Sequence, residues 1–258
     1  MLQVRSFFKF NSATPAVVIE PVPTVFPTID GADLAAVFAG KRLAGDFYDC
    51  VRVSLERVLI GLLDVAGRRA ETRNLLVAAQ EIFRDSGKEL FSSEDINESD
   101  AMTELNVRIN RRLIEASEGV HPCPAFTACY HEKLGTLCYC NAGHTPGLLR
   151  DSKGIVELGS TGLPLGLFSH ATCEARMVGM EQRAALLLVS QGLVGCEAGR
   201  RNGSAGEFGL DGVKEVFNNA PALSAKDLCS SILTAVAGFS GNAPLCDDRT
   251  ALALLRTA

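Results

Sequence analysis

Two hydrophobic periods run along the chain, and each predicts one kind of element. Apolar residues alternate with polar ones, or form short apolar runs, in DLAAVFAG (33–40), VRVSL (51–55), VLIGLLD (58–64) and TALALLR (250–256). These patterns are typical of strands. A tight turn is expected at Glu56-Arg57. The stretches AFTACYHEKLGTLCYCNAGH (125–144) and GLLRDSKGIVEL (147–158) each predict a hairpin, the first turning near Gly135 and the second at 151–154.

A spacing of three and four residues predicts three helices. The first carries Leu75, Leu76, Ala79, Ile82 and Phe83 on one face, and the second begins near Ser99 and carries Met102, Leu105, Ile109 and Leu113. The third, SAKDLCSSILTAVAGF (224–239), opens with Ser224 and Asp227 in a cap-like spacing. Strands and helices come in blocks rather than in strict alternation. The prediction is an α+β fold of two antiparallel sheets with helices on their outer faces.

Length and composition favour one domain with a sizeable core. The chain has 258 residues, of which 47% are hydrophobic. The segment 11–30 contains four prolines. We therefore expect residues 1–28 to form an extended leader and residues 29–258 to form the domain.

The charge balance and the cysteines narrow the range of partners and compartments. The net charge is −5 and no basic run exceeds an arginine pair, which argues against nucleic acid or an anionic membrane. No apolar stretch is long enough for a signal peptide or a membrane span. Nine scattered cysteines without a C-x-x-C pair are typical of buried reduced thiols. The sequence thus predicts a cytoplasmic protein.

Acidic residues stand at three predicted strand ends, in GDFYD (45–49), DVAG (64–67) and CDDRT (246–250). Burying a carboxylate at the end of an apolar strand costs free energy unless the carboxylate is paired, hydrogen-bonded or bound to a metal. Hard divalent cations prefer oxygen ligands, and two such ions can activate water and bind a phosphoryl group. Each aspartate taken alone also suits an ordinary turn or cap.

The ordered motifs GDFYD, DVAG, FTA, NAGHTP, GLPLG and DDRT, spread over residues 45–250, resemble the SpoIIE-type branch of the PPM (type-2C-like) metal-dependent serine/threonine protein phosphatases. The resemblance covers about residues 25–256. It implies an α-β-β-α sandwich with a two-metal centre, binding Mn²⁺ or Mg²⁺, at one edge of the sheets.

The resemblance also assigns site residues. It implies that Asp46, Asp64 and the backbone carbonyl of Val65 hold one metal. Asp64 would bridge to a second metal held by Asp247, with Asp248 in support. Asp46, Asp64 and Asp247 are therefore the expected catalytic residues.

Two positions depart from the family pattern. Gln191 stands where the family carries an aspartate, in the run LLLVSQGLVG (186–195). An amide oxygen can bind a metal but brings no charge, so the second metal site is expected to be weakened. The family's glycine-rich turn after Asp64 is replaced by arginines, including Arg68, Arg69 and Arg73. These arginines either bind a substrate phosphate or form the solvated first turn of a helix.

Two functions remain open. The first is hydrolysis of phosphoserine or phosphothreonine on a bacterial regulatory protein, which by resemblance would be similar to an anti-sigma-factor antagonist. The second is a phosphatase-like module that binds a phosphoprotein without turnover.

His144 is expected to fix a turn, with general acid or water-holding chemistry as its alternative. The oligomeric state is not predicted.

Overall fold

A computed structural model describes residues 20–40, 45–67, 69–117, 120–198, 206–221, 223–241 and 247–258. In chain order the strands are β1 Ala32–Ala39, β2 Gly45–Arg52, β3 Arg57–Val65, β4 Ala125–His131, β5 Thr136–Ala142, β6 Gly147–Asp151, β7 Gly154–Leu158, β8 Arg176–Gly179, β9 Ala185–Val189 and β10 Arg249–Arg256. The helices are α1 Arg69–Phe91, α2 Glu98–Ala116, α3 Gln191–Val194, α4 Gly209–Asn219 and α5 Ala225–Ser240.

The strands form two five-stranded antiparallel sheets. The first sheet has the order β1-β10-β9-β6-β7 and the second has the order β2-β3-β4-β5-β8. Helices α1 and α2 pack on the second sheet, and α4 and α5 pack on the first. The predicted α-β-β-α sandwich is therefore confirmed. Strands β1 and β2 are edge strands of the two sheets.

Three apolar layers hold the sandwich together. Alternate side chains of a strand point to opposite faces, so each sheet contributes one face to the space between the sheets and the other to its helices. Leu59 and Leu76 are fully buried between the second sheet and its helices, and Ile60 and Leu254 are fully buried between the two sheets. Phe217 and Ile232 are fully buried between the first sheet and its helices.

Most predicted elements are present, and their ends have the expected chemistry. The Ser224 hydroxyl accepts the Asp227 N–H at the start of α5, while Asn97 caps α2 by accepting the Ser99 and Asp100 N–H groups. Gly135, in the first hairpin turn, has a φ of 64°, which favours glycine. The sequence did not lead us to expect β8, α3 or α4.

The predicted strand boundary near Glu56-Arg57 is wrong by a few residues. Strand β2 ends at Arg52, the turn covers 53–56, and Arg57 already belongs to β3. The reason is tertiary, because the Arg57 guanidinium makes a buried ion pair with Glu98 at 2.6 Å and donates to the carbonyls of Ser93 and Glu94. These contacts fix Arg57 in the strand that faces α2.

Residues 1–19 of the expected leader lie outside the described residues, so the 1–28 boundary remains a prediction. Residues 20–28 run along α1 and β2.

The eight cysteines that are described are buried and free, while Cys246 lies outside the described ranges. Among the described helices, none is long and apolar enough to cross a bilayer.

Candidate active site

Asp46 and Asp64 face each other across the β2–β3 pair. The two residues are direct register partners, so their side chains leave the same face of the second sheet with Cβ atoms about 5 Å apart. The preceding register pair, Gly45 and Val65, is unusually close. A Cβ at Gly45 would overlap the carbonyl oxygen of Val65. Glycine at position 45 therefore lets the Val65 carbonyl approach the start of β2 beside Asp46.

Asp247 approaches this pair from the first sheet, near enough for its charge to act on both carboxyl groups. It lies just before β10, and the Asp248 N–H donates to its Oδ1 at 2.8 Å. Helix α3 packs against this segment, because a Cβ at Gly192 would overlap the Asp248 carbonyl oxygen. The small residue at position 192 thus permits the approach of α3 to the Asp247-Asp248 turn.

Hydroxyl groups of the first sheet orient Asp46. The Thr250 hydroxyl donates to Asp46 Oδ2 at 2.7 Å, and the Ser190 side chain also hydrogen-bonds to Asp46. The Thr250 N–H in turn donates to the Ser190 Oγ at 3.0 Å. The other carboxylate oxygen, Asp46 Oδ1, is buried and has no hydrogen-bond partner. A buried polar atom of this kind is rare and marks a place for a ligand.

The carboxylates disfavour one another's charges. Burial, followed by the charge of Asp64, raises the pKa of Asp46 to about 7. Burial and the charge of Asp247 raise the pKa of Asp64 to about 6, against a hydrogen bond from the Gln191 backbone N–H. Burial, with the charge of Asp248, also raises the pKa of Asp247. Such mutual shifts are typical of a cluster that lacks a positive charge.

The Gln191 side chain lies away from this cluster. Gln191 is the first residue of α3 and is exposed, and its amide nitrogen lies over Gly195, one turn further along the chain. Its backbone N–H bonds to the carboxylate of Asp64. The segment that follows Ser190 is thus a one-turn helix. Its backbone reaches the site while its glutamine side chain does not.

Asp248 lies next to Asp247, and its charge raises the pKa of both Asp64 and Asp247. It is fully buried, and its Oδ1 would overlap a Cβ at Gly40, so it packs against the end of β1. Sequence reasoning assigned no role to Thr250 or Ser190, although both stand inside quoted motifs. The signal that could have found them is the pairing of a hydroxyl residue with each acidic strand end.

The donor set fits a cation with an open coordination sphere. In the described ranges, no three His, Cys, Asp or Glu side chains are close enough to enclose a metal ion. Mg²⁺ is commonly held by one or two carboxylates and keeps several waters. The facing Asp46 and Asp64, the free Oδ1 and the nearby Val65 carbonyl satisfy that requirement.

Two other candidates, His144 and Arg73, contact neighbouring residues in the described part of the chain. His144 is buried, its N–H donates to Asn141 Oδ1, and its ring Nδ1 contacts Thr145. Burial lowers the pKa of His144 to about 4, so the ring is neutral. Arg73 pairs with Glu20 at 2.7 Å. The side chains of Arg68 and Arg69 fall outside what the structure describes.

Comparison with known proteins identifies the family. A family model described as Stage II sporulation protein E (SpoIIE) matches residues 55–257, which is most of the chain. The chain belongs to the SpoIIE family. Among individual relatives, phosphoserine phosphatase RsbP of Bacillus subtilis (strain 168) is 24% identical to this chain over 157 residues. Those residues are 60% of this chain and 38% of RsbP.

Solved structures show that this member of the SpoIIE family has the PPM phosphatase fold. The RsbU and RsbW domains of Rv1364c from Mycobacterium tuberculosis match with a TM-score of 0.70 and 22% identity, covering 90% of this chain and 63% of that one. The SiaA-PP2C domain of Pseudomonas aeruginosa matches with a TM-score of 0.73 and 16% identity, covering 87% and 86% of the two chains.

Proposed function

We propose that this protein hydrolyses phosphoserine or phosphothreonine on a regulatory protein with the help of divalent cations. The observation that carries the proposal is the facing pair Asp46 and Asp64, with Asp247 close enough to raise the pKa of both carboxyl groups. Membership of the SpoIIE family supports it.

In this proposal Asp46, Asp64 and the Val65 carbonyl hold one ion, and Asp64 and Asp247 hold a second. A bound Mg²⁺ or Mn²⁺ supplies Lewis-acid chemistry to the phosphoryl group and to water. Because Gln191 adds no charge and its side chain is turned away, the second ion is expected to bind more weakly than the first.

The remaining residues position the carboxylates. Thr250 and Ser190 hold one side of Asp46, the Gln191 N–H holds Asp64, and the Asp248 N–H holds Asp247. Each carboxylate therefore has a donor that orients it, and Asp46 keeps one oxygen without a partner. Preorganised ligands of this kind need little rearrangement during turnover.

The relatives support the proposed substrate class. RsbP is named a phosphoserine phosphatase, and the matched structure of Rv1364c contains an RsbW domain beside its RsbU domain. The proposed partner is a phosphorylated regulator, similar to an anti-sigma-factor antagonist. This chain spans 38% of RsbP, so the activity of a longer relative is transferred only as a proposal.

The test is hydrolysis of p-nitrophenyl phosphate and of a phosphoserine peptide, with Mn²⁺ and Mg²⁺ titrated separately. We expect turnover that requires metal and is lost in EDTA. Metal-independent turnover, or none at saturating metal, would contradict the proposal.

A second candidate is a phosphoprotein-binding module without turnover. The outward Gln191 side chain favours it, because the family's additional carboxylate is then not replaced in the site. Saturable binding of a phosphopeptide with no hydrolysis at any metal concentration would support this candidate.

A further inference from the structure

An extended segment closes the open edge of the sandwich beside Asp46. Residues 20–28, called here the edge segment, pack along β2 and α1. Gln80 of α1, which is almost fully buried, bonds to Val22 twice. Its Oε1 accepts the Val22 N–H at 2.6 Å, and its Nε2 donates to the Val22 carbonyl at 2.8 Å. This reciprocal pair fixes the register of the edge segment.

The edge segment has further attachments along β2. The Thr24 hydroxyl contacts the Tyr48 carbonyl at 2.9 Å and Asp49 Oδ1 at 3.1 Å. Phe26 stacks on Tyr48 with ring centroids 6.2 Å apart, and Cys50 lies beneath the Val25 carbonyl. Three prolines stiffen the segment and reduce the entropy lost on ordering it. The edge segment is therefore a fixed wall rather than a loose end.

A cavity of about 270 Å³ lies between this wall and the sheets. Residues 21–24 line one part of it, and Phe38 together with the stretch from Asp46 to Tyr48 line the rest. Most of these side chains are apolar. Thr24, Tyr48 and Asp46 contribute polar groups, and Asp46 links the cavity to the carboxylate cluster, so whatever occupies the cavity lies beside the proposed reaction centre.

We propose that this cavity receives an apolar side chain next to the phosphoserine of the substrate, and that residues 21–24 determine this specificity. The inference rests on the proposed function. Neighbouring residues of a peptide have Cα atoms 3.8 Å apart, so a phosphoserine held at Asp46 and Asp64 places its neighbours within reach of the cavity. A lining in which most side chains are apolar and a few are polar is typical of a ligand pocket.

In this proposal Gln80 is a positioning residue, because it acts through the edge segment. Removing its side chain breaks both bonds to Val22 and one bond to Asp49. The wall then loses its fixed position, and the cavity loses its shape. Gln80→Ala should therefore weaken discrimination between substrates that differ in the neighbouring residue.

The test uses two hydrolysis-resistant phosphonate analogues of a phosphoserine peptide, with leucine or with serine on both sides of the central residue. Binding to the full chain is measured by fluorescence anisotropy in Mg²⁺. We expect the wild type to bind the leucine peptide about tenfold more tightly. Gln80→Ala should reduce the ratio to less than about twofold. Glu81→Ala, the next and exposed position of α1, is the matched control and should keep the ratio.

Hydrogen exchange of residues 20–28 supplies an independent measurement. The edge segment should exchange faster in Gln80→Ala than in the wild type or in Glu81→Ala. Where Gln80→Ala does not fold, Val22→Pro removes the same N–H donor from an exposed position and is expected to give the same loss of discrimination.

Equal affinity of the wild type for both peptides would overturn the proposal. An unchanged tenfold ratio after the edge segment is released would also overturn it, as would unchanged exchange in Gln80→Ala. Because the analogues report binding without turnover, these outcomes are separate from failure of metal-dependent hydrolysis. That failure would contradict the proposed function alone.

Discussion

Two buried aspartates on one strand show how differently this fold treats a carboxylate. Asp46 and Asp49 are three residues apart on β2, so their side chains point to opposite faces. Asp49 faces α1 and is fully satisfied, with a bidentate pair to Arg84 at 2.6 and 3.0 Å and further bonds from Gln80, Thr24 and the Cys50 N–H. Asp46 faces the space between the sheets and keeps one oxygen without a partner.

The difference separates structure from function within one motif. Arg84 of α1 gives the buried Asp49 a counter-charge, so this ion pair links α1 to the second sheet. Asp46 has only hydroxyl donors and like-charged neighbours, an arrangement that is unfavourable unless a proton or a cation is present. Burial of a carboxylate therefore does not by itself indicate a functional site. A buried carboxylate that has an unpartnered oxygen and lies among other carboxylates does indicate one.

The largest effect is expected from Asp64→Asn, which should abolish turnover. The substitution removes the charge that faces Asp46 and neighbours Asp247. The attraction between a carboxylate and a cation about 4 Å apart, at a dielectric near 20, is worth about 4 kcal/mol. Its loss corresponds to about 10³-fold in rate. Metal-dependent phosphopeptide hydrolysis measures the loss. An unchanged rate would refute the two-metal proposal.

Breaking the Asp49 network should instead reduce stability. Arg84→Ala leaves the Asp49 carboxylate buried without its counter-charge, at a cost of about 3–5 kcal/mol. For a chain of this size the thermal midpoint should fall by about 10 °C. Arg112→Ala, which removes an exposed arginine 3.9 Å from Glu81, is the control and should change the midpoint little. Equal effects of the two variants would contradict the comparison.

The stability of the metal-free protein should depend on pH through Asp46. Its pKa is raised from 3.8 to about 7, so between these values the folded protein keeps a proton that the unfolded chain has lost. The resulting stabilisation is present below pH 4 and is lost as the pH rises to 7, by on the order of 2–4 kcal/mol. Asp46→Asn should reduce this dependence in urea unfolding with EDTA, leaving the part that comes from Asp64 and Asp247. The same wild-type-to-variant difference at pH 4 and pH 8 would contradict it.

Asp248→Asn should cost less than Asp247→Asn. Asp248 packs against Gly40 and its backbone holds Asp247, so it acts on the site through its neighbour. Residues that support metal ligands typically contribute about 10–100-fold in affinity or activity. The Mn²⁺ concentration at half-maximal rate measures this. Equal losses at the two positions would mean that their roles are wrongly assigned.

The smallest effect is expected at Gln191. Its side chain is exposed and its contribution to Asp64 is a backbone N–H, so Gln191→Asp should fold normally. The added negative charge near the cluster should lower the half-saturating Mn²⁺ concentration slightly by attracting the cation. The maximal rates should converge at saturating metal. Gln191→Asn provides a neutral control of the same length as aspartate. A lower thermal midpoint without tighter Mn²⁺ binding in calorimetry would show that the pocket is adapted to glutamine.

Local patterns predicted the elements with strong periodicity. The long helices and the hairpins follow from side-chain spacing, and the cap at Ser224 follows from its distance to Asp227. The short helices and the end of β2 did not follow. Helix α3 has four residues, too few for a period. Strand β2 ends at Arg52, and β3 begins at Arg57, which pairs with a residue of α2 that is 41 positions away.

The sequence alone determined the class of the fold and the acidic strand ends, because hydrophobic period and residue type are local properties. Only the tertiary structure decided which aspartate has a counter-charge. Asp46 and Asp49 belong to the same five-residue motif, and no local feature tells them apart. Their difference depends on which face of β2 meets α1 and which meets β10, where Thr250, 204 residues away, binds Asp46. Burial, pKa and free ligand oxygens are properties of that packing, so they arise only when the two sheets close on each other.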